Sequence, residues 1–366
     1  MNIVSLFNGM NTGRQALENV GIKVNKYYSS EIKPYAIELT QHHFPDTIQV
    51  GDATKWKEWD IDWSSIDLIL SGSPCQDLSA AGKRAGINGS KSSLFFVFVD
   101  ILNHIKSLNP NVLFLQENVG SAAKLDVGIM SRALGVYPVR INSKLVTAQL
   151  RDRYYWSNIR TKETMFDLVT DIPQPKDRGI MFKDIITDGR VERVKALALL
   201  ESESRACTNQ ESIKKRDAKD FINMVYVDTD KHVALKMQNN RNNQGSQQSL
   251  KHRNETTGII TLIYEQNKEV YQINPSKESG GKQPYMQNRV YDVKGKSVAL
   301  TECMADKIKY QTEDLIVRTV NQTEMERLQG FPDGYTSILS KAKAGSLLGD
   351  GWTLPIIEHI FSYIKQ

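Results

Sequence analysis

The sequence is poor in cysteine: it has three in 366 residues, Cys75, Cys207 and Cys303, far apart and with no Cys-x-x-Cys pair. That spacing argues against a disulfide framework and a structural zinc site, and leaves at most one thiol for chemistry. No apolar run approaches the ~20 residues that span a bilayer, so no membrane is expected as a partner. The opening MNIVSLFNG has no basic stretch followed by an apolar core and a small-residue cleavage site. It reads as a first strand rather than a signal peptide, and a cytoplasmic setting is expected. The glycines after that strand lack the Gly-x-Gly-x-x-Gly spacing of a dinucleotide fingerprint, which disfavours a nicotinamide cofactor. No internal repeat of fixed period is present.

What the chain does have is an ordinary globular composition, 40% hydrophobic and 24% charged, with length enough for a main domain and a smaller one. Residues 1–160 alternate short apolar runs with amphipathic stretches: Asn2 to Phe7, then Asn11 to Val20; Tyr27 to Ser30, then Pro34 to His43; Ile66 to Leu70; Leu94 to Ser107; Val112 to Leu115. This is the rhythm of a mostly parallel, Rossmann-like α/β sheet, whose strand ends present ligands. From about residue 172 the texture changes. Pro173 and Pro175 mark a linker, and the stretch to about 311 is polar, with β-like pieces at Gly258 to Tyr264 and Ser297 to Leu300. Residues 176–311 hold 24 Lys and Arg against 18 Asp and Glu. A solvated surface with a chance imbalance and a polyanion-binding face both fit that excess. The segment QNNRNNQGSQQSLKHRNE (238–255) fits either disorder or a loop whose amides and cations read base edges. Apolar periodicity returns after residue 312, with helices expected over Thr323 to Leu328 and Pro355 to Ile364, the latter docking back on the first domain.

Four stretches carry chemistry. In LFNGMNTG (6–13) a strand ends in a turn with Gly9 and Gly13 that lets backbone approach a nucleoside. Glu31, and Asp52 with Ala53, follow the next two expected strands; ionised acceptors there suit ribose hydroxyls and an adenine amino group. That ordered series points to an adenosine-containing cofactor such as S-adenosyl-L-methionine. In SGSPCQDLS (71–79), Pro74 fixes the backbone ahead of Cys75, and the following small-residue loop with Lys83 and Arg84 reads as a mobile lid that contacts anions. QENVG (116–120) places Glu117 at a strand end in the same cleft. In QLRDRYYW (149–156), strand alternation puts Gln149, Arg151 and Arg153 in one row of donors; a salt-bridged surface strand is the other reading.

With these pieces in order, the chain resembles the cytosine-5 DNA methyltransferase family from end to end. The motifs are FNGMNTG, Glu31, Gly51-Asp52, SPCQDLS, QENV, QLRDR, RTVNQTEMERLQGFPDGY (318–335) and GDGWTLP (349–355). The resemblance implies a methyltransferase domain over 1–175 plus 336–366 and a target recognition domain over 176–335. It implies that Cys75 is the nucleophile, that Glu117 engages the cytosine ring, and that Arg151 and Arg153 orient the base. Phe7, Gly9, Thr12, Glu31, Ile32, Asp52, Ala53 and Leu94 would line the cofactor site, with Phe7 and Ile32 on the adenine. Gln76, Ser79, Lys83 and Arg84 would meet DNA in the closing loop. The implied partners are double-stranded DNA and, in a paired system, a restriction endonuclease; the chain is expected to act as a monomer in a prokaryotic or phage-infected cell. Two departures, Asn11 where many bacterial members have glycine and Gly349-Asp350-Gly351-Trp352 near the end, look more like the animal de novo enzymes. RNA cytosine methylation is the rival activity, although the loop here runs Cys-Gln-Asp-Leu-Ser rather than Cys-Phe-Thr. A catalytically inactive DNA-binding accessory protein of the same fold is the third reading.

Overall fold

The computed structural model describes residues 1–74, 94–191, 193–199, 223–228, 290–292, 309–311 and 315–365. The chain divides into two compact units, one of residues 1–187, 192–206 and 320–366 and one of residues 188–191 and 207–319.

The first unit is built on a seven-stranded sheet. Its strands are β1 (Asn2–Leu6), β2 (Lys26–Ser30), β3 (Ile48–Gln49), β4 (Leu68–Ser71), β5 (Leu113–Val119), β6 (Val139–Asn142) and β8 (Asp152–Ser157), in the order β3-β2-β1-β4-β5-β8-β6. β3, β2, β1, β4 and β5 run parallel, while β8 is antiparallel to both β5 and β6. Strand order reverses between β1 and β4, the switch point where parallel α/β sheets open a crevice at their carboxyl ends. β1 and β4 are buried along nearly their whole length, which explains why they read as continuous apolar runs rather than alternating ones.

Helices cover the faces. They are α1 (Thr12–Asn19), α2 (Pro34–His43), α3 (Leu94–Leu108) and α4 (Lys124–Leu134), and, late in the chain, α5 (Gln322–Gln329), α6 (Lys341–Asp350) and α7 (Leu354–Phe361). α3 buries Phe95, Phe98, Val99, Ile101, Leu102 and Ile105, the three-and-four spacing of one helix face. They join Val4, Leu6, Ile69, Phe114 and Trp156 in the core beneath the sheet. α7 packs on α1, and Asn19 donates to Glu358 at that contact, as the expected return of the terminal helix required.

The resemblance places residues 176–187 and 320–335 in the smaller domain, and the composition break places the first of them there, whereas both fold with the first unit. Buried polar groups hold them there. Gln149 in β7 (Gln149–Leu150) donates to the Leu328 carbonyl and to Gln329, and Glu324 accepts from the Thr187 amide. A composition count does not register such bonds, because these residues are polar and yet buried. Gly330 ends α5 in the left-handed region, φ 77°. A Cβ there would sit 2.3 Å from Pro355 Cδ, in the first turn of α7. Gly330→Ala should therefore lower stability by about 2 kcal/mol, from left-handed strain plus overpacking, measured by urea unfolding; an unchanged midpoint would contradict that packing.

A hairpin of β9 (Thr161–Glu163) and β10 (Leu168–Thr170) and a short β7 pairing with β11 (Ala196–Leu197) complete the first unit's strands among the described residues. In the second unit, β12 (Met224–Asp228) pairs antiparallel with β15 (Leu315–Thr319), and β13 (Val290–Asp292) pairs parallel with β14 (Lys309–Gln311). The expected β-like pieces at 258–264 and 297–300, and the amide-rich run 238–255, lie outside the described residues.

Candidate active site

A cavity of about 480 Å³ opens at the switch point, a size typical of small-molecule sites. Its wall comes from the loops after β1, β2, β3 and β4, from β5, and from the turn between α6 and α7. Of the residues expected to line a cofactor site, all eight are in it: Phe7, Gly9, Thr12, Glu31, Ile32, Asp52, Ala53 and Leu94. Glu117, Arg151 and Arg153 line it too, as does Pro74. Cys75, Gln76, Ser79, Lys83 and Arg84 lie outside the described residues.

The loops are stitched to one another by the main chain. Asn8 N–H donates to the Ser30 carbonyl, and Ser30 Oγ to the Gly51 carbonyl at 2.6 Å. Phe7 and Gly9 both have positive φ, 53° and 57°. That is ordinary for glycine and costly for phenylalanine, so the tight turn after β1 is held by its surroundings. Asn11 also adopts the left-handed region, φ 63°. Asparagine tolerates it better than most residues, which accounts for an amide in a turn that otherwise favours glycine.

Glu31 accepts three backbone bonds: Gly9 N–H at 2.8 Å on Oε2, and Ile32 and Lys33 N–H at 2.8 and 2.9 Å on Oε1. The side chain expected to meet a ligand thus also shapes the turn, and a carboxylate's four acceptor positions leave capacity for a further donor. Asp52 Oδ1 accepts from the Thr54 amide and hydroxyl. Ile32 is 71% exposed, although it is a large apolar side chain in a cavity wall. An unburied apolar surface beside two carboxylates suits a nucleoside, which offers a flat face and hydroxyl and amino donors.

Glu117 is not at a strand end, as the apolar run Val112 to Leu115 suggested; it lies within β5, opposite Tyr155 of β8. β5 outruns its parallel neighbour β4, which stops at Ser71 beside Gln116, because antiparallel β8 keeps pairing it. Glu117 therefore still emerges at the carboxyl edge of the parallel strands. Its carboxylate is gripped from two sides: Arg153 Nε reaches Oε1 at 2.8 Å, and Trp352 Nε1 donates to Oε2 at 3.1 Å. Beneath it, burial and then the Glu117 charge push the Tyr155 phenol above its ordinary range, keeping it neutral. Ser73 Oγ accepts from Gln116 Nε2 at 2.9 Å and Asn118 Nδ2 at 3.4 Å, tying the chain just before Pro74 to β5.

Of the expected row, Arg151 and Arg153 line the cavity and Gln149 does not. Arg151 falls at the break between β7 and β8, is 3% exposed, and donates to the carbonyls of Leu199, Gly349 and Gly351 at 3.2, 3.0 and 2.8 Å. Gln149 bonds the Leu328 carbonyl and Gln329 of α5 and accepts from the Leu199 amide. Arg151→Met should cost on the order of 3 kcal/mol, since it strips a charged donor from buried carbonyls; a thermal melt within one degree of the parent protein would contradict this. Sequence reasoning assigned no role to Trp352 or Lys33, which also line the cavity. The motif Gly-Asp-Gly-Trp was the available signal.

A mixed α/β sheet of this order, with its ligand crevice at the switch point, defines the class of the Rossmann-like methyltransferases. The S. pombe Dnmt2 methyltransferase shares the fold at a TM-score of 0.50 and 11% identity, over 100% of this chain and 98% of that one. The chain belongs to the family of C-5 cytosine-specific DNA methylases, whose pattern matches residues 1–366. It is similar to the type II methyltransferase M.NlaIV of Neisseria lactamica, 36% identical over 120 residues, which is 32% of this chain and 27% of that protein. It is also similar to the type II methyltransferase M.HhaI of Haemophilus parahaemolyticus, 28% identical over 222 residues, covering 58% and 63%. The matched stretch thus spans about a quarter of the first relative's length and under two thirds of the second's. Among the described residues, no helix is long and apolar enough to cross a membrane.

Proposed function

We propose that the protein is a DNA (cytosine-5-)-methyltransferase that uses S-adenosyl-L-methionine and attacks its target base through Cys75. The observation that carries this reading is the cavity itself. Glycine loop and carboxylates form one part of its wall, the Glu117–Arg153 pair another, and Pro74, the residue before Cys75, lines it as well.

Phe7, Gly9, Glu31, Ile32, Asp52 and Leu94 would hold the cofactor: Glu31 and Asp52 accept from its hydroxyl and amino groups, and Phe7 and Ile32 pack against its base. When bound, the cofactor supplies an electrophilic methyl group on a sulfonium centre. The chain's residues must make carbon 5 of cytosine a nucleophile, which an aromatic ring is not. A Cys75 thiolate adding to carbon 6 converts the ring into an enamine with its electron density on carbon 5. A free cysteine, with a pKa of about 8.5, is only slightly ionised at neutral pH, so local positive charge or proton transfer on attack must help. Glu117, sharing a proton with ring nitrogen 3, lets that nitrogen take up the charge that develops as the adduct forms and so acts in the transition state. Arg153 holds that carboxylate and neutralises it. After transfer the carbon 5 proton passes to a water or another base and the thiolate is eliminated, which restores the aromatic ring.

These atoms are out of reach in a stacked duplex, so the nucleotide must be flipped into the cavity at a cost of a few kcal/mol. The second unit, with the basic excess of residues 176–311, is the proposed target recognition domain, and its contacts with DNA offset that cost. Gln76, Ser79, Lys83 and Arg84 are assigned to the loop that closes over the base. Double-stranded DNA is the proposed partner, met by a monomer in the cytoplasm of a prokaryotic or phage-infected cell. Bisulfite sequencing of plasmid DNA from cells expressing the protein tests the activity. Protected cytosines in one fixed sequence context support it; a folded protein that leaves every DNA cytosine convertible, or methylates only RNA, overturns it.

A further inference from the structure

We propose that Trp352 is a positioning residue for the Glu117 carboxylate: its indole N–H fixes the plane in which that carboxylate meets the target base. This rests on the reading of Glu117 given above and extends it to a residue 235 positions away in the chain.

The contact is built from both ends. Three groups hold the turn that carries the indole. Arg151 bonds the carbonyls of Gly349 and Gly351, Lys33 pairs with Asp350 at 2.9 Å, and Gln329 Nε2 reaches the Gly351 carbonyl at 3.4 Å. The ring then lies flush on glycine. A Cβ on Gly72 would stand 2.7 Å from Trp352 Nε1 and 3.2 Å from Cε2, and one on Gly13 would stand 3.8 Å from Cζ3. No side chain larger than glycine's fits at position 72 without displacing the ring. Arg153 on Oε1 and Trp352 on Oε2 therefore stop the carboxylate from rotating about its last bond.

Rotation matters because a carboxyl group facing cytosine must lie close to the ring plane to share a proton with nitrogen 3 while accepting from the exocyclic amine. A side chain held by Arg153 alone would sweep an arc and meet the base in that plane only part of the time. Geometry set in advance lowers the barrier to chemistry without tightening ground-state binding. Trp352 thus acts through Glu117, on the chemical step.

The test pairs Trp352→Phe, which keeps the ring and loses the donor, with Glu117→Gln. Single-turnover methyl transfer by Trp352→Phe should fall about tenfold, with the Kd values for DNA and S-adenosyl-L-methionine within twofold of the parent. In a Glu117→Gln background the same change should add less than twofold, because the coupled partner is altered. An equal fall in both backgrounds, or weakened cofactor binding with an unchanged rate, overturns the proposal. A second arm needs no activity. The Trp352 indole 15N–1H resonance, identified by its loss in Trp352→Phe, should move in Glu117→Gln, and an unmoved resonance overturns the contact. If the parent protein methylates nothing while that resonance responds, the proposed function fails and the contact stands.

Discussion

Cys75→Ala is expected to abolish methyl transfer, with a loss of at least about a thousandfold in single-turnover rate, while DNA and cofactor binding stay within a few-fold of the parent. The size of the effect follows from the mechanism. Without a thiolate at carbon 6 there is no enamine, and no other group proposed for the cavity can add to the ring. Serine at the same position should be nearly as inactive, because an alkoxide is far harder to form at neutral pH than a thiolate. The other two thiols offer an internal control. Cys207→Ala and Cys303→Ala should retain full activity, and a loss in either comparable to that of Cys75→Ala would overturn the assignment of the nucleophile.

Glu117→Gln should slow the chemical step by about 10²–10³, the usual loss when a group that stabilises developing charge is neutralised. Gln preserves the shape and one acceptor for Arg153, so the cavity survives. The carboxylate is half of an ion pair with little exposure, its side chain at 11% and that of Arg153 at 16%. The variant leaves the guanidinium with a neutral partner. A modest fall in melting temperature therefore accompanies the rate loss and does not explain it. Binding of DNA should change by less than fivefold. A single-turnover rate equal to the parent's would remove Glu117 from the mechanism, whatever the melt shows.

Most of the first unit was legible because its signals are local. α2 begins on Pro34 and ends at His43, as its sequence pattern indicates, and the strands β1, β2 and β4 match their apolar runs within one or two residues. The eight cofactor-site residues fall on one cavity because in a parallel sheet every strand-end loop opens on the same edge. What sequence could not show depends on partners far along the chain. β5 extends to Val119 only because β8 pairs with it in the opposite direction. Arg151 turns inward because the carbonyls of Leu199, Gly349 and Gly351 need a donor there, although a strand of alternating charges would have pointed it at the base. Trp352 belongs to the site through a bond to Glu117, and no periodicity links those two positions. Residues 320–335 join the first unit through buried polar bonds, although the order of the motifs places them in the smaller domain.

The central claim, covalent attack by Cys75 on carbon 6 of a flipped cytosine, is tested most directly by trapping the adduct. A duplex carrying 5-fluorocytosine at the site found by bisulfite sequencing blocks the last step, because fluorine cannot leave as a proton does. Incubation with S-adenosyl-L-methionine, proteolysis and mass spectrometry should then find one modified peptide, with the methylated fluorocytosine nucleotide on Cys75. A complex that dissociates completely on denaturation, or an adduct on Cys207 or Cys303, would contradict the account.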